Sequence, residues 1–263
     1  MNKRMKVVIL CGGQGTRLRE VTEILPKPLV PIGDKPILWH IMKGYAAHGI
    51  KDFILCLGYK GDLIRDFFMQ YHYHSTDTIV NLHDGKLLRP NGKRDIEDWT
   101  ITFVNTGETT NTALRLYQVR KYLENDQYFM LTYGDGVSNV DINHVYDFHR
   151  TKNTIGTITG VHPSSKYGEV KADSQGLITS FVEKPVLDES FINGGFMIFT
   201  NKMLQHPMLR EDIALETVLT DLAEHKQLAL YTHKGFWHCM DTPKDFQSLN
   251  ELWKSGKARW KVW

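Results

Sequence analysis

The sequence predicts an α/β protein whose central sheet is mostly parallel and flanked by helices. Continuous apolar runs of strand length recur over the first half of the chain, and stretches with helical apolar spacing separate them. Unbroken apolar runs are typical of strands buried on both faces. Their alternation with helices is typical of a parallel sheet covered on both sides. These two observations together predict the fold class.

The first half supplies three strands and three helices. The run that ends at Cys11 is followed at once by Gly12, as expected for a buried strand that leads into a tight turn. A helix is expected from Pro36 to just before Gly49, because proline favours the first helical turn and glycine the position after the last. The predicted elements are a strand at 5–11, a helix at 36–48, a strand at 52–57, helices at 60–71 and 111–124, and a strand at 127–133.

The second half is richer in strands. Asp173-Ser-Gln-Gly176 separates two β-rich runs, which predicts a hairpin with the glycine where a positive φ is wanted. Thr242-Pro243 followed by Asp245 predicts the start of a helix. The predicted elements are strands at 169–172, 177–182 and 195–200 and helices at 213–224 and 243–255.

Two further segments are open to more than one interpretation. Residues 84–99 mix basic and acidic side chains, which fits a solvated, self-neutralising loop and also a lid or subunit contact. Trp253, Trp260 and Trp263 alternate with basic residues near the end of the chain. We expect a packed tail or a subunit contact there, because tryptophan anchors interfaces, and nucleic-acid binding is the weaker interpretation.

Composition excludes several classes of protein. The 263 residues contain 32 Lys and Arg against 30 Asp and Glu, a net charge of +2 that argues against a bulk nucleic-acid binder. No apolar run approaches the ~18 residues needed to span a membrane, and the run at Val7–Cys11 is too short for a signal peptide. Cys11, Cys56 and Cys239 form no CxxC pair and lie in apolar surroundings. We therefore expect a reducing compartment, the cytoplasm.

A glycine-rich turn, Gly12-Gly13-Gln14-Gly15-Thr16-Arg17, follows the first strand. Clustered glycines let a backbone approach a ligand and point several N–H groups at one anion, and Arg17 adds a planar cation suited to phosphate. A flexible turn is the alternative. A dinucleotide fingerprint is excluded because Leu18 stands where its third glycine belongs, and no Gly-Lys pair is followed by the Ser or Thr of a P-loop.

The continuation of this turn contains two more motifs. Pro26-Lys27-Pro28 holds a lysine on a restricted backbone, and Lys35-Pro36-Ile37 follows. Together with the glycine-rich turn, these motifs resemble the signature of the sugar-phosphate nucleotidyltransferase family. Thr132-Tyr-Gly-Asp-Gly136, Glu183-Lys-Pro185, Asn193-Gly-Gly-Phe196 and Gly235-Phe-Trp-His-Cys-Met-Asp-Thr242 are similar to its glucose-1-phosphate cytidylyltransferase branch. So is Arg19-Glu20, where relatives that use thymidine or uridine triphosphates typically have proline.

The resemblance implies a Rossmann-like nucleotidyltransferase fold in a single domain, 1–263. A nucleotide-binding core would span about 1–135, and a smaller β-rich sugar-binding and C-terminal portion about 136–263. It also implies transfer of CMP from CTP to a sugar 1-phosphate, most simply α-D-glucose 1-phosphate, with Mg²⁺ as cofactor and a homo-oligomeric assembly. Neither nucleic acid nor a membrane is expected as a partner. Two alternatives stay open: another nucleotide or phosphorylated acceptor, and a non-catalytic protein that senses sugar nucleotides.

The resemblance also assigns roles to residues. It gives catalysis to Arg17 and Lys27 and metal binding to Asp135 and Asp241. The implied nucleotide-binding residues are Leu10, Gly12, Gly13, Gly15, Thr16, Arg17, Lys27, Thr110, Arg115 and Gly134. The implied sugar-phosphate residues are Gly168, Glu183, Lys184, Asn193 and Gly194.

Each assignment has a structural alternative. An aspartate next to a glycine, such as Asp135, is common in turns, and Asp241 could cap the helix that begins near Pro243. Arg115 could be a solvated helix residue, and Glu183 with its neighbouring lysine could be an exposed strand end. The chain also departs from the family pattern. Ala113-Leu114 stands where the family often has Gly-Gly, and Tyr167 and Glu169-Val170 differ near the sugar, which puts the identity of the sugar in doubt more than the reaction.

Overall fold

The computed structural model describes residues 5–15, 18, 22–71, 79–88, 96–163, 168–183 and 190–263. The strands are β1 Lys6–Cys11, β2 Pro31–Ile32, β3 Lys35–Pro36, β4 Asp52–Leu57, β5 Ile79–Val80, β6 Leu87–Leu88, β7 Thr100–Asn105, β8 Tyr128–Tyr133, β9 Gly136–Ser138, β10 Gly156–Val161, β11 Glu169–Ala172, β12 Ile178–Val182, β13 Ile192–Asn193, β14 Met197–Thr200, β15 Leu228–His233 and β16 Trp237–Cys239. The α-helices are α1 Ile37–Ala47, α2 Gly61–Met69, α3 Thr112–Val119, α4 Ile142–Lys152, α5 Leu215–Glu224 and α6 Pro243–Lys254.

Eight strands form the central sheet. β7, β4, β1 and β8 follow one another as parallel neighbours, and β14 then pairs antiparallel with β8. β10 pairs antiparallel with β13 and β14 and parallel with β15. The sheet is therefore parallel over its first half, as predicted, and mixed over its second.

The two faces of the sheet bury different side chains because successive residues of a strand point to opposite sides. Val7 and Ile9 of β1 belong to a core cluster with α1 and α6, whereas Val8 and Leu10 belong to a second cluster with α3 and α5. An inner strand covered on both faces is typically apolar along its length, and β1 is accordingly an unbroken hydrophobic run.

Most predicted elements are confirmed. The strand at 52–57 coincides with β4, and the hairpin at 169–182 is formed by β11 and β12, with Gly176 at φ +82°. The predicted helix at 111–124 is shorter: α3 ends at Val119, and a 3₁₀ turn, Arg120–Tyr122, follows. Among the longer described elements, β7, β10, β15 and α4 were not predicted, and neither were the short strands β2, β3, β5, β6, β9, β13 and β16.

The C-terminal tail packs on the core. Trp260 is 1% exposed, and its indole Nε1 donates to His40 Nδ1 at 3.4 Å. This confirms the packed-tail interpretation. The insertion at 84–99 is anchored at its end, where Trp99 packs against Trp39 and Phe53; its residues 89–95 lie outside the described residues. None of the described helices has the length and apolar content needed to cross a membrane.

Candidate active site

A cavity of about 300 Å³ opens at the carboxyl ends of β1 and β8. The parallel register pairs Leu10 with Tyr133, so the turns that follow the two strands meet at one edge of the sheet, where open α/β sheets bind ligands. Gly134 N donates to Leu10 O at 3.2 Å and joins the two turns. The predicted nucleotide-binding residues in the wall are Leu10, Gly12, Gly13, Gly15, Lys27, Thr110, Arg115 and Gly134. Thr16 and Arg17 lie outside the described residues.

Arg115 lies beneath the glycine-rich turn. Only 3% of it is exposed, so the alternative of a solvated helix residue is wrong. Its Nη1 donates to Leu57 O at 3.1 Å and to Thr106 Oγ1 at 2.6 Å, and its Nη2 donates to Gly12 O at 3.3 Å. Burial lowers the pKa of the guanidinium. Arg115 thus connects the turn after β1 to the end of β4.

This arrangement explains why position 12 is a glycine. A Cβ on Gly12 would overlap the Arg115 guanidinium, whereas a Cβ on Gly13 would have no atom within 4 Å. The lack of a side chain at Gly12 therefore lets Arg115 pack closely against the turn, whereas Gly13 is exposed at the mouth of the cavity. The two adjacent glycines have different structural roles.

Lys27 lies between the two predicted metal ligands. Its Nζ is 2.7 Å from Asp135 Oδ2 and 2.5 Å from Asp241 Oδ1. Burial disfavours the charged form, yet the Asp135 carboxylate and hydrogen bonds to both aspartates outweigh it and raise the pKa of the Lys27 ammonium. Asp241 does not cap the following helix, because Thr242 is the N-cap residue and forms a capping box with Asp245.

Strand pairing brings these distant aspartates together. β9, which begins just after Asp135, pairs antiparallel with β16, and Met240 N donates to Asp135 O at 2.8 Å. Asp241 follows directly. Oxygen ligands of this kind are those that hard cations such as Mg²⁺ prefer, so the two carboxylates fit a divalent metal. The Cys239 Sγ lies with them: the three ligand atoms are within 4.8 Å of one another.

Cys239 was not singled out as a site residue from the sequence. Its position two residues before Asp241 was the available signal. Burial, and next the Asp135 charge, raises the pKa of this thiol.

The predicted sugar residues fall into two pairs. Asn193 and Gly194 lie near the cavity: Asn193 Nδ2 donates to the Tyr133 hydroxyl at 3.2 Å, and Gly194 N donates to Thr159 O at 2.8 Å. Gly168 and Glu183 lie together on the exposed β11–β12 hairpin, where a Cβ on Gly168 would come within 3.0 Å of Glu183 Oε2. Lys184 lies outside the described residues.

Two residues that the sequence did not single out, Tyr133 and Glu216, connect Asn193 to α5. The Tyr133 hydroxyl donates to Glu216 Oε1 at 2.6 Å, and Asn193 Oδ1 accepts from Gly195 N at 3.0 Å. The amide of Asn193 is therefore held in one orientation. No local sequence pattern predicts this chain of contacts, because Glu216 lies on α5, in a separate part of the sequence.

The site thus combines backbone N–H groups, a buried cation and paired carboxylates at one sheet edge, which is the equipment for binding phosphates together with a metal. Residues 6–255 match the family profile described as nucleotidyl transferase. The chain is 42% identical over 261 residues to the glucose-1-phosphate cytidylyltransferase of Salmonella typhi, covering 98% of this chain and 100% of the relative. It is 41% identical over 260 residues to the probable glucose-1-phosphate cytidylyltransferase of Bacillus subtilis, with the same coverage.

The chain belongs to the nucleotidyl transferase family, and it is an enzyme of that family similar to glucose-1-phosphate cytidylyltransferases. The solved structure of HddC from Yersinia pseudotuberculosis has the same fold, with a TM-score of 0.66, 24% identity, and coverage of 95% of this chain and 99% of that one. The resemblance found in the sequence and the predicted fold class are both confirmed.

Proposed function

We propose that this enzyme transfers CMP from CTP to α-D-glucose 1-phosphate, giving CDP-glucose and pyrophosphate. The observation that carries the proposal is the Lys27 ammonium between Asp135 and Asp241 at the edge of a glycine-lined cavity. The full-length identity of 42% to a glucose-1-phosphate cytidylyltransferase supports the choice of substrates.

In the proposed reaction an oxygen of the sugar phosphate attacks the α-phosphorus of CTP. A new P–O bond forms as the bond to the pyrophosphate leaving group breaks. The attacking phosphate is already ionised, so no general base is needed, and the protein must hold two anions in line and offset their repulsion. The backbone N–H groups of the turn after β1 would hold the triphosphate, and Arg17 and Lys27 would neutralise it.

Asp135 and Asp241 would hold Mg²⁺. When bound, the metal supplies positive charge to phosphate oxygens. The ammonium of Lys27 pairs with both carboxylates. Lys27 would therefore exchange these partners for phosphate oxygens when substrates and metal are present.

On the acceptor side, Lys184 would pair with the sugar phosphate, and Gly168, Glu183, Asn193 and Gly194 would contact the sugar. The fixed amide of Asn193 supports this role, since a preoriented polar group discriminates between hydroxyl patterns. We further propose a cytoplasmic homo-oligomer. The exposed apolar side chains of the hairpin, Val170, Ile178 and Phe181, support self-association.

The test is pyrophosphate release from a panel of triphosphates crossed with sugar 1-phosphates. Asp135→Asn and Lys27→Ala should each lower turnover about 10²-fold or more, because each removes a charged group that is needed to stabilise the transition state. Lys51→Ala is the matched control, since that lysine pairs with Asp98 at an exposed site. Unchanged turnover in both site variants would overturn the mechanism, and equal rates with several triphosphates would favour the alternative nucleotide.

A further inference from the structure

The two carboxylates that would hold Mg²⁺ have a third potential ligand beside them. β16 pairs with β9 so that Cys239 lies opposite Gly136, next to Asp135. Asp241 lies two residues beyond Cys239, the last residue of β16, and its carboxylate meets Lys27 beside Asp135. As a result the Cys239 Sγ and one oxygen from each aspartate lie within 4.8 Å of one another.

Two members of this trio already pair with a cation. The ammonium of Lys27 contacts Asp135 at 2.7 Å and Asp241 at 2.5 Å. Among the residues that the structure describes, this is also the one group of three metal-ligating side chains that comes so close together. Both its charge and its donor atoms therefore point to a positively charged ligand.

The chemistry of the donors determines which cation this is. Mg²⁺ requires oxygen ligands in near-octahedral geometry and has little affinity for sulfur. Zn²⁺ and similar cations accept thiolate and carboxylate together, with Zn–S near 2.3 Å and Zn–O near 2.0 Å. Tetrahedral coordination at those lengths places sulfur and oxygen about 3.5 Å apart. The three ligand atoms, now within 4.8 Å of one another, would close to that separation on binding the metal.

We propose that Cys239 turns this carboxylate pair into a binding site for thiophilic divalent cations such as Zn²⁺ and Co²⁺. On binding, the S–H bond breaks, a metal–sulfur bond forms, and the proton passes to solvent. The Lys27 ammonium keeps its proton and moves away from the carboxylates. The inference shares Asp135 and Asp241 with the proposed function, and it implies that thiophilic cations displace Mg²⁺ and inhibit the enzyme.

The experiment is an optical titration of the full chain with Co²⁺ in metal-free buffer without added thiol and without nucleotide. A thiolate bound to Co²⁺ gives a charge-transfer band in the near ultraviolet. We expect this band in the wild type, and we expect Cys239→Ser and Cys239→Ala to abolish it and weaken Co²⁺ affinity about tenfold or more. Lys27→Met, which removes the competing ammonium, should keep the band and strengthen binding.

Cys56→Ser is the matched control, because that thiol is buried in the core cluster on the α3 face of the sheet and should not contribute to the band. A band that is absent from the wild type, that survives in Cys239→Ser, or that is lost in Cys56→Ser would overturn the inference. Turnover of CTP distinguishes the two proposals. A missing band with normal turnover removes only this inference, whereas a normal band without turnover on any triphosphate removes only the proposed function.

Discussion

The two sides of the site are built in different ways. On one side, the loop wall (Gly12–Gly15) rests on Arg115, which is buried and hydrogen-bonded to three carbonyl oxygens and a threonine. On the other, the hairpin (β11 and β12, with Gly168 and Glu183 at its ends) is a two-stranded sheet that pairs with no other strand among the described residues, and nearly all its residues are exposed. The loop wall is thus shaped by the core before any ligand binds, while the shape of the hairpin depends on local pairing.

This contrast predicts that changes in the loop wall cost stability and that changes in the hairpin cost mainly binding. The largest effect is expected for Gly12→Ala. The new Cβ would displace the Arg115 guanidinium. The buried charge would then lose its hydrogen bonds to the carbonyl oxygens. We expect the free energy of unfolding to fall by about 4 kcal/mol, with weaker CTP binding.

The matched control is Gly13→Ala, whose Cβ has open space around it and should change stability by less than about 0.5 kcal/mol. Urea unfolding of both variants without ligand makes the comparison. Equal losses in the two variants would mean that Arg115 does not fix the loop wall.

The dependence of stability on pH provides a second test of the same contrast. His40 of α1 is buried against Trp253 and Trp260, and His149 of α4 is buried against Thr157 of β10. Residues 168–183 of the hairpin contain no histidine. Burial lowers the pKa of His40 and of His149 from 6.5 to about 4. The unfolded chain therefore binds protons more readily, so the stability that these neutral histidines contribute is complete above pH 6.5 and is lost as the pH falls towards 4.

Each histidine should account for up to about 3 kcal/mol of that loss. In His149→Gln the decline of the unfolding free energy between pH 6.5 and 4 should be shallower than in the wild type. His144→Gln, an exposed site on the same helix, is the control and should follow the wild type. Parallel curves for all three proteins would contradict the prediction.

The contrast also shows what the sequence could and could not predict. The strands β1 and β4 were recognisable because both faces are apolar. β10 was not, because Gly156, Thr157 and Thr159 occupy its buried positions and are accommodated by close packing and by a hydrogen bond from Thr159 to Phe196 O. Small and polar residues in a buried strand look like a loop until their partners are known.

The site shows the same division. The glycine-rich turn and Lys27 are local motifs and could be recognised as such. The meeting of Asp135 and Asp241 came from family resemblance alone, since they are 106 positions apart and only the pairing of β9 with β16 joins them. The burial of Arg115 depends on carbonyl groups from separate segments, which no spacing rule could reveal.

The smallest effect on stability is expected in the hairpin itself. In Gly168→Ala the new methyl group would meet the Phe181 ring at 2.7 Å and Glu183 Oε2 at 3.0 Å. Because both side chains are exposed and the hairpin pairs with no other described strand, we expect them to shift at a cost below about 0.5 kcal/mol. The displaced Glu183 should nevertheless raise KM for glucose 1-phosphate severalfold and leave KM for CTP unchanged. Gln175→Ala, at the far turn of the same hairpin where the side chain is exposed, is the control and should leave both KM values unchanged. A rise in KM for CTP in Gly168→Ala would mean that the two sides of the site are coupled, since the loop wall is untouched by this substitution.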